Sequence, residues 1–476
     1  MNRQITRLFG LFVLLFALLV GFTSRWTVFE AESLEDQPAN RRPLLESQRI
    51  PRGLVLARDG TRLATSRRTG ARENRRYVRA YPQRGLFAHA LGYSFVSRGS
   101  AGLERHYNDE LTGQHDELTT ILDELGGGVD EGDDLRTTLD ARAQRTAIQA
   151  LAGRRGSIVA LEPGTGAVRV MVSIPDFDPN EVPGRFSELN RAQGSPLFNR
   201  ATQARYPPGS TFKVVTAAAA LDSGRYTPSS FVSGRNNKPI SGVPLQNSGG
   251  ADFGTISLTD ALTNSVNTVF GEVGEKLGKG TMLKYMRRFG FGSRPPLDYP
   301  SSQMTPSGIF KGSRLLDEDD SIDIGRVAIG QERLQVTPLQ MAMVAAAVGN
   351  GGVLMEPHLG DRVVEPDGSV RDRVEPDRYS RVMSGDAAEK LGAMMSRVVE
   401  EGTGTASALE GIPVAGKTGT AEVDGGASNQ AWFIAFAPVK DPRIAIAVTI
   451  ERTQGQGGTV AAPVAKQVMQ TLLGGG

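Results

Sequence analysis

The sequence predicts an α+β protein in three parts: an N-terminal transmembrane helix, a small mixed domain and a large α/β domain. Three observations support this prediction. The chain opens with an uncharged apolar segment, Leu8–Ser24. Short β-like segments and turn residues follow over residues 50–128. The remainder has β-rich segments at both ends and helical apolar spacing between them.

The apolar segment Leu8–Ser24 has 17 residues, close to the lower limit for a helix that crosses a bilayer. Arg3 and Arg7 precede it and acidic residues follow it, which favours a cytoplasmic N-terminus and a body outside the cell. The alternative is a cleaved signal peptide, but no small-x-small cleavage site follows Val20. We therefore expect an uncleaved, single-pass anchor.

The segment after the anchor divides into a linker and a small domain. Residues 30–49 are polar and typical of a linker, whereas Gly53–Ala57 and Arg62–Ala64 flank an Asp-Gly turn and are typical of short strands. Gly126–Gly128 and the acidic residues after it indicate a boundary. The predicted parts are residues 1–24 (N-terminus and anchor), 25–134 (linker and small domain) and 135–476 (large domain).

The large domain is predicted to combine one antiparallel sheet with a helical subdomain. The predicted strands are Ser157–Leu161, Ala167–Ser173, Ala431–Ala437 and Arg443–Ile450. The predicted helices are Thr138–Leu151, Thr211–Leu221, Leu258–Val273, Pro338–Val348, Ala387–Glu400 and Val464–Leu473. Strands from the two ends of this domain are expected to lie side by side, with most of the helices inserted between them in sequence.

The composition excludes several kinds of function. The net charge is +2, without the clustered basic face that nucleic-acid binding needs. The chain contains no cysteine, so thiolate catalysis and cysteine-ligated zinc are excluded. It has four histidines, and three of them precede the segments that contain the candidate catalytic residues. Too few histidines therefore remain there for a Ser-His-Asp triad or a histidine-rich metal site. A serine nucleophile here would need a different base.

Three short motifs occur once each and in this order: Ser210-Thr-Phe-Lys213, Ser265-Val-Asn267 and Lys417-Thr418-Gly419-Thr420. Each motif alone has an ordinary structural explanation. The first can be an N-cap serine with an exposed lysine, the second a capping pair and the third an edge strand with a tolerated glycine. Together and in sequence they are a strong indication of chemistry.

Ser210 follows Tyr206-Pro-Pro-Gly209, which ends any preceding element, so a helix is expected to begin at the serine. Residues three apart share a helix face, which places Lys213 beside the Ser210 hydroxyl. Lys213 is then the candidate base, and burial or a second cation such as Lys417 would lower its pKa. The apolar run that follows Lys213 predicts a buried helix.

The other two motifs supply candidate proton-transfer and binding groups. Ser265 could pass a proton between Lys213 and a leaving amine, and Asn267 could hydrogen-bond a substrate amide. Gly419 removes a side chain from a predicted strand, which lets another backbone lie close. The side chains that could bind a carboxylate are those of Thr418 and Thr420, with Lys417 adding positive charge. Backbone N–H groups of Ser210 and Thr420 could form an oxyanion hole.

These motifs resemble the signature of the penicillin-binding protein and serine β-lactamase superfamily. The resemblance covers about residues 135–473. The sequence before residue 135 is similar to the pedestal of class B penicillin-binding proteins, and the whole chain most resembles the short-pedestal penicillin-binding protein A type. Further matching text is Gly156–Pro163, Pro207–Lys213, Ile329–Gln331, Thr337–Gln340, Ala431–Phe433, Arg52-Gly53, Arg58–Gly60 and Gly102–Glu104. The resemblance implies a five-stranded antiparallel sheet with a helical subdomain, preceded by a small mixed pedestal.

The resemblance implies a D,D-transpeptidase that needs no metal or cofactor. Ser210 would attack the penultimate D-Ala carbonyl of a peptidoglycan stem, release D-Ala and transfer the acyl group to a neighbouring stem amine during division or elongation. β-Lactams would acylate the same serine. The implied partners are peptidoglycan stems, β-lactams, the membrane and a polytopic glycan polymerase.

Three alternatives share these motifs. A D,D-carboxypeptidase differs only in using water as the acceptor, and a penicillin-binding scaffold or sensor would keep the site without depending on its turnover. A class A β-lactamase uses a glutamate a few tens of residues after Ser-x-Asn, but no glutamate lies between Glu275 and Glu318. The pedestal and the anchor favour the transpeptidase.

Overall fold

The computed structural model describes residues 2–25, 50–70, 76–113 and 131–474. The predicted linker over residues 30–49 and the boundary at Gly126–Gly128 lie outside these ranges. The helices of the described residues are α1 Asn2–Ser24, α2 Ala88–Leu91, α3 Leu103–His106, α4 Asn108–Thr112, α5 Ala141–Leu151, α6 Val182–Arg191, α7 Lys213–Asp222, α8 Leu258–Thr263, α9 Asn267–Leu277, α10 Lys279–Arg288, α11 Ile324–Val327, α12 Pro338–Gly349, α13 Gly385–Glu400 and α14 Ala462–Leu473.

The strands of the described residues are β1 Val55–Leu56, β2 Arg62–Thr69, β3 Arg76–Ala80, β4 Tyr93–Phe95, β5 Gly99–Ala101, β6 Asp134–Thr137, β7 Gly156–Leu161, β8 Val168–Ile174, β9 Phe231–Ser233, β10 Lys238–Ile240, β11 Val243–Leu245, β12 Thr255–Ser257, β13 Gly308–Lys311, β14 Arg314–Leu315, β15 Leu334–Gln335, β16 Val353–Met355, β17 Gly360–Val364, β18 Val370–Arg373, β19 Arg378–Arg381, β20 Ala415–Val423, β21 Ser428–Ala437 and β22 Ile444–Thr453.

Helix α1 contains the predicted anchor. Its segment Arg7–Ser24 is, among the described residues, the one stretch of helix long and apolar enough to cross a membrane, and none of it is buried against the rest of the chain. Large side chains such as Phe9 and Leu19 are more than half exposed. An all-apolar exposed helix of this length fits a lipid environment.

The small domain is built on a six-stranded sheet with the order β18-β17-β6-β1-β2-β3. Strand β1 pairs in parallel with β6 and antiparallel with β2. Strands β17 and β18 come from residues 360–373, far beyond the predicted boundary at residue 134. The sheet therefore unites strands from the two predicted domains.

A buried ion triad lies beneath this sheet. The carboxylate of Glu104 has no exposed surface, and it accepts hydrogen bonds from Arg52 Nε at 2.7 Å and from Arg79 Nε at 2.5 Å. Burial raises the pKa of Glu104, but the two guanidinium groups outweigh burial and leave this pKa below its ordinary value. A buried carboxylate is tolerated here because both oxygens are paired.

The large domain contains the expected antiparallel five-stranded sheet, with the order β20-β21-β22-β7-β8. Along β21, Trp432 and Ile434 join the core on one face, whereas Ala431 and Phe433 join the core on the other. Both faces are covered by helices, so the central strands are apolar throughout instead of alternating. Helices α5 and α14 cover one face, and α12 and α13 cover the other.

The helices differ from the prediction in two respects: α6 and α10 were not predicted, and one predicted helix is divided. The sequence predicts a single helix over Leu258–Val273, but the structure has two, α8 and α9, separated by residues 264–266. The break lies at Ser265, whose φ of 59° is in the left-handed region and cannot continue a right-handed helix. The apolar spacing continues across the break, which explains why sequence periodicity did not reveal it.

Candidate active site

Ser210 lies in a tight turn that leads into a buried helix. The 3₁₀ turn Gly209–Phe212 continues directly into α7, so Ser210 precedes Lys213 by one turn. Gly209 has a φ of 52°, and its N–H donates to the carbonyl of Gly330 at 3.1 Å. A Cβ atom on Gly330 would lie 1.9 Å from the Gly209 carbonyl oxygen, so only glycine permits this approach.

The side chain of Lys213 is fully buried at the beginning of α7. Its Nζ donates to the carbonyl of Ser265 at 2.6 Å and to Asn267 Oδ1 at 2.7 Å, and it lies 3.4 Å from the Ser265 hydroxyl. These three acceptors hold the amine beside the predicted second motif. The Ser210 hydroxyl is not among its hydrogen-bond partners in the described residues, and such bonds often shorten only when a substrate is bound.

Ser265 connects the first and third motifs. Its hydroxyl accepts a hydrogen bond from Lys417 Nζ at 2.9 Å and lies 3.4 Å from Lys213 Nζ. The left-handed backbone of Ser265 is sparsely populated for residues other than glycine, and strain of this kind is concentrated at functional sites. The break between α8 and α9 thus places one hydroxyl between two lysines.

The two lysines have no exposed surface, and burial disfavours their charged forms. Burial, and then the charge of Lys417, hold the pKa of Lys213 well below its ordinary value. Burial alone lowers the pKa of Lys417 to about 7. Lys213 therefore loses its proton more readily than an ordinary lysine, and in its neutral form it can accept a proton from a neighbouring hydroxyl.

The predicted role of Gly419 in permitting a close backbone approach is confirmed. A Cβ atom at this position would lie 2.7 Å from the carbonyl oxygen of Pro208 and 2.9 Å from Thr211 Cγ2. Pro208 and Thr211 flank the nucleophile turn, so strand β20 packs directly against the segment that carries Ser210. Any side chain at Gly419 would push the two apart.

Thr418 and Thr420 face the same side of β20, as predicted. The Thr418 hydroxyl lies 2.6 Å from that of Thr403, and the Thr420 hydroxyl accepts a hydrogen bond from the Gly457 N–H at 3.1 Å. A Cβ atom on Gly457 would lie 2.3 Å from the Gly419 carbonyl oxygen. Two glycine-containing segments, residues 402–404 and 455–458, therefore pack against strand β20.

A polar network that sequence reasoning missed fixes the residues before Ser210. Arg200 Nε lies 2.7 Å from Glu451 Oε1, which also accepts a hydrogen bond from the Tyr206 hydroxyl. Trp432 Nε1 donates to the carbonyl of Pro207 at 3.0 Å and its ring meets that of Tyr206 edge to face. Burial, and then Glu451, raise the pKa of Tyr206, so its hydroxyl stays a donor.

The structure thus brings the predicted site residues into one region from three segments of the chain. Sequence reasoning missed Thr403 and Gly457 as neighbours of β20, although clustered glycines at residues 402–404 and 455–458 signal close backbone approach. No local signal links Arg200 to Glu451, because 251 residues separate them.

Comparison with known proteins agrees with this geometry. Residues 156–470 match the penicillin-binding protein transpeptidase domain, and residues 52–135 match the penicillin-binding protein A dimerisation domain. The peptidoglycan D,D-transpeptidase PbpA of Mycolicibacterium smegmatis is 34% identical over 500 residues, covering 99% of each chain. The PbpA of Mycobacterium tuberculosis strain H37Rv is 33% identical over 505 residues, covering 100% of each.

Solved structures give the same result. The penicillin G acyl-enzyme complex of penicillin-binding protein A from M. tuberculosis is similar with a TM-score of 0.79 and 33% identity, over 89% of this chain and all of the other. The D,D-transpeptidase domain of a peptidoglycan glycosyltransferase from Eggerthella lenta has a TM-score of 0.78 and 32% identity, over 90% and 99% of the two chains. The chain therefore belongs to the penicillin-binding protein transpeptidase family, in the group that includes PbpA.

Proposed function

We propose that this chain is a membrane-anchored peptidoglycan D,D-transpeptidase that uses Ser210 as its nucleophile. The observation that carries the proposal is the buried pair of Lys213 and Lys417, bridged by Ser265, behind the nucleophile turn. A buried amine with a lowered pKa is a base suited to a serine hydroxyl. Its D,D-transpeptidase relatives align over the whole chain, which supports this chemistry over a generic serine hydrolase.

Acylation begins when neutral Lys213 takes the proton of the Ser210 hydroxyl. The Ser210 oxygen then bonds to the carbonyl carbon of the penultimate D-Ala, and negative charge develops on the carbonyl oxygen. The N–H groups of Ser210 and Thr420 stabilise this oxyanion. Collapse breaks the C–N bond, and the leaving D-Ala amine receives the proton from Lys213 through the Ser265 hydroxyl.

Deacylation reverses these proton movements with a different amine. The side-chain amine of a second stem attacks the acyl carbon, loses a proton to Lys213 and forms the new amide. The ester bond to Ser210 breaks, and the serine oxygen regains a proton from Lys213. Each turnover therefore exchanges one peptide bond for another, releases one D-Ala and restores the enzyme.

Of the remaining site residues, Asn267 positions the base, and Thr420 and Lys417 bind the donor stem. Asn267 accepts from Lys213 and donates to the Gln246 carbonyl, so it ties the base to the loop beside the site. The Thr420 oxygen accepts from Gly457, which leaves its own proton available for the terminal carboxylate of the stem. Lys417, buried beneath the strand, adds positive charge when protonated.

Helix α1 and the charges around it support a proposed membrane topology. We place the N-terminus in the cytoplasm and the pedestal and transpeptidase domain outside the membrane, because basic residues precede the apolar segment and acidic residues follow it. An enzyme that cross-links new strands needs them delivered at the same membrane. A polytopic glycan polymerase that contacts the anchor and the pedestal would supply these strands.

The first test is covalent labelling with a fluorescent penicillin. The full chain in nonionic detergent is incubated with the reagent, denatured and separated on a gel. We expect stable label on the wild type, none on Ser210→Ala and wild-type label on Ser187→Ala, which removes an exposed hydroxyl from α6. Label on Ser210→Ala, or none on folded wild type, would contradict the assignment of the nucleophile.

The acceptor is tested separately. Incubation with a pentapeptide donor and an amine acceptor should give D-Ala and a cross-linked product in similar amounts. Release of D-Ala without a cross-linked product would instead indicate a carboxypeptidase. Rapid loss of the penicillin label would indicate a β-lactamase-type hydrolase.

A further inference from the structure

A cavity of about 190 Å³ lies where the six-stranded sheet meets the five-stranded sheet, and the mechanism does not use it. It is lined by Arg58, Arg136, Thr137, Thr138, Arg169, Asp361 and Arg362. Arg169 belongs to β8, at the opposite edge of its sheet from β20, which carries Lys417. The cavity is therefore separate from the catalytic site.

Two of these arginines are placed against each other by the sheet itself. Arg136 on β6 is the direct cross-strand partner of Arg362 on β17, and both side chains line the cavity. Like charges at directly opposed positions destabilise a strand pair. Arg362 has a loose ion pair with Asp361 at 3.6 Å, and the guanidinium of Arg136 has no hydrogen bond or ion pair to any residue that the structure describes.

The donors that remain for a ligand are guanidinium N–H groups, since both threonine hydroxyls have donated their protons elsewhere and Asp361 is an acceptor. The hydroxyls of Thr137 and Thr138 donate to the carbonyls of Leu56 and Val168 at 2.9 and 2.6 Å. Arg169 is held by Glu162 and the Thr138 carbonyl. Arg58 is 3.6 Å from Asp140 and half exposed. Most N–H groups of Arg58, Arg136 and Arg362 are consequently available, and guanidinium groups are pre-organised to bind oxyanions.

We propose that this cavity binds a phosphoryl group, between the six-stranded sheet and strand β8. Four guanidinium groups and a single carboxylate line the cavity, which favours a multiply charged anion and excludes a cation. Its volume exceeds the ~30 Å³ share of one water molecule several times over, enough for a tetrahedral oxyanion and part of its substituent. The bound anion would offset the repulsion between Arg136 and Arg362 and link the two sheets.

The test measures thermal unfolding of the full chain while inorganic phosphate is added at constant ionic strength, with chloride as the balancing anion. Phosphate should raise the Tm of the wild type in a saturable way. Arg136→Gln and Arg362→Gln should each weaken phosphate binding by at least ~10-fold, since each removes a charge-assisted contact. They should also raise the Tm without phosphate, because each removes one partner of the repulsive pair.

Arg68→Gln is the matched control. Arg68 is exposed on strand β2, and the substitution removes the same charge as the two cavity variants. A second arm compares nanodiscs of an anionic phospholipid with nanodiscs of a zwitterionic one. A phosphate response lost in the two cavity variants supports a soluble phosphoryl ligand, and an anionic-lipid response lost in them supports a lipid headgroup. No response in either arm, or equal loss in Arg68→Gln, would overturn the proposal.

Discussion

Replacing Lys417 by methionine should stabilise the folded chain and abolish the pH dependence that this lysine contributes. The pKa of Lys417 falls from 10.5 to about 7 on folding, so the folded state binds fewer protons than the unfolded state between these values. The free energy of unfolding then rises with pH by about 1.4 kcal/mol per unit over this window, or about 5 kcal/mol in total. Lys213 contributes with the same sign.

Below about pH 7 the wild type bears the full cost of burying this charge, and the methionine variant does not. The variant loses the hydrogen bonds of Lys417 to Ser265 and Thr418, at about 1 kcal/mol each, so we expect a net gain of about 3 kcal/mol there. Near pH 10 the charge cost has almost vanished, so the variant should be less stable than the wild type by about 1 kcal/mol. Acylation by penicillin should nevertheless be slower in the variant, because Lys417 is needed for catalysis although its burial destabilises the folded state.

The assay is urea unfolding of the full chain in detergent across this pH window, followed by the fluorescence of buried Trp432. Lys284→Met, an exposed substitution on α10, is the control and should keep the wild-type pH dependence. If Lys417→Met has the same pH slope as the wild type, Lys417 does not titrate as described. If it is less stable than the wild type at pH 7, its charge is not costly in the folded state.

Three further predictions concern the rate of acylation by penicillin. Gly419→Ala should slow it at least ~10-fold, because its Cβ would lie 2.7 Å from the Pro208 carbonyl oxygen and displace the nucleophile turn at about 1–3 kcal/mol. The wild-type rate should increase with pH as Lys213 loses its proton, over a pH range well below 10.5. Lys213→Arg should abolish acylation and, with it, this pH dependence. Glu451→Gln should slow acylation and lower the Tm, since the buried guanidinium of Arg200 loses its charged partner, a change that costs about 3 kcal/mol.

Each of these predictions has a control or a contradicting outcome. Gly184→Ala places a methyl group in open space on α6 and should leave labelling unchanged, so equal slowing there would remove the steric explanation. A pH-independent wild-type rate would mean that Lys213 is not the base. Wild-type labelling by Glu451→Gln with a lowered Tm would restrict the Arg200–Glu451 pair to stability alone.

The sequence predicted those parts of the fold and of the site that depend on residues close together along the chain. The individual strands β7, β8, β21 and β22, the buried helix after Lys213 and the glycine contact of Gly419 follow from short-range patterns, whereas the five-stranded sheet was implied by the family resemblance. The left-handed conformation of Ser265 did not, because the apolar residues Leu262, Val266 and Val269 keep helical spacing across it. The break there matters most, since it turns the Ser265 carbonyl and hydroxyl toward the lysines.

Pairing between distant segments was the other limit. Strands β17 and β18 join the small domain although they lie more than 220 residues after β6, and their polar residues carry no signal for that neighbour. The same holds for Arg200 and Glu451, whose ion pair depends on the closed sheet. Long-range pairs of this kind are set by topology, which periodicity along the chain does not contain.

The composition of the six-stranded sheet has a consequence for the order in which the chain folds. Synthesis proceeds from the N-terminus, so β1, β2 and β3 leave the ribosome long before β17. Until residue 364 has emerged, β6 has no partner on one side, and Leu135 and Val363 cannot form their shared core. The pedestal, although first in sequence, is thus completed only after most of the catalytic domain has been made, and a chain interrupted before that point leaves an open sheet edge.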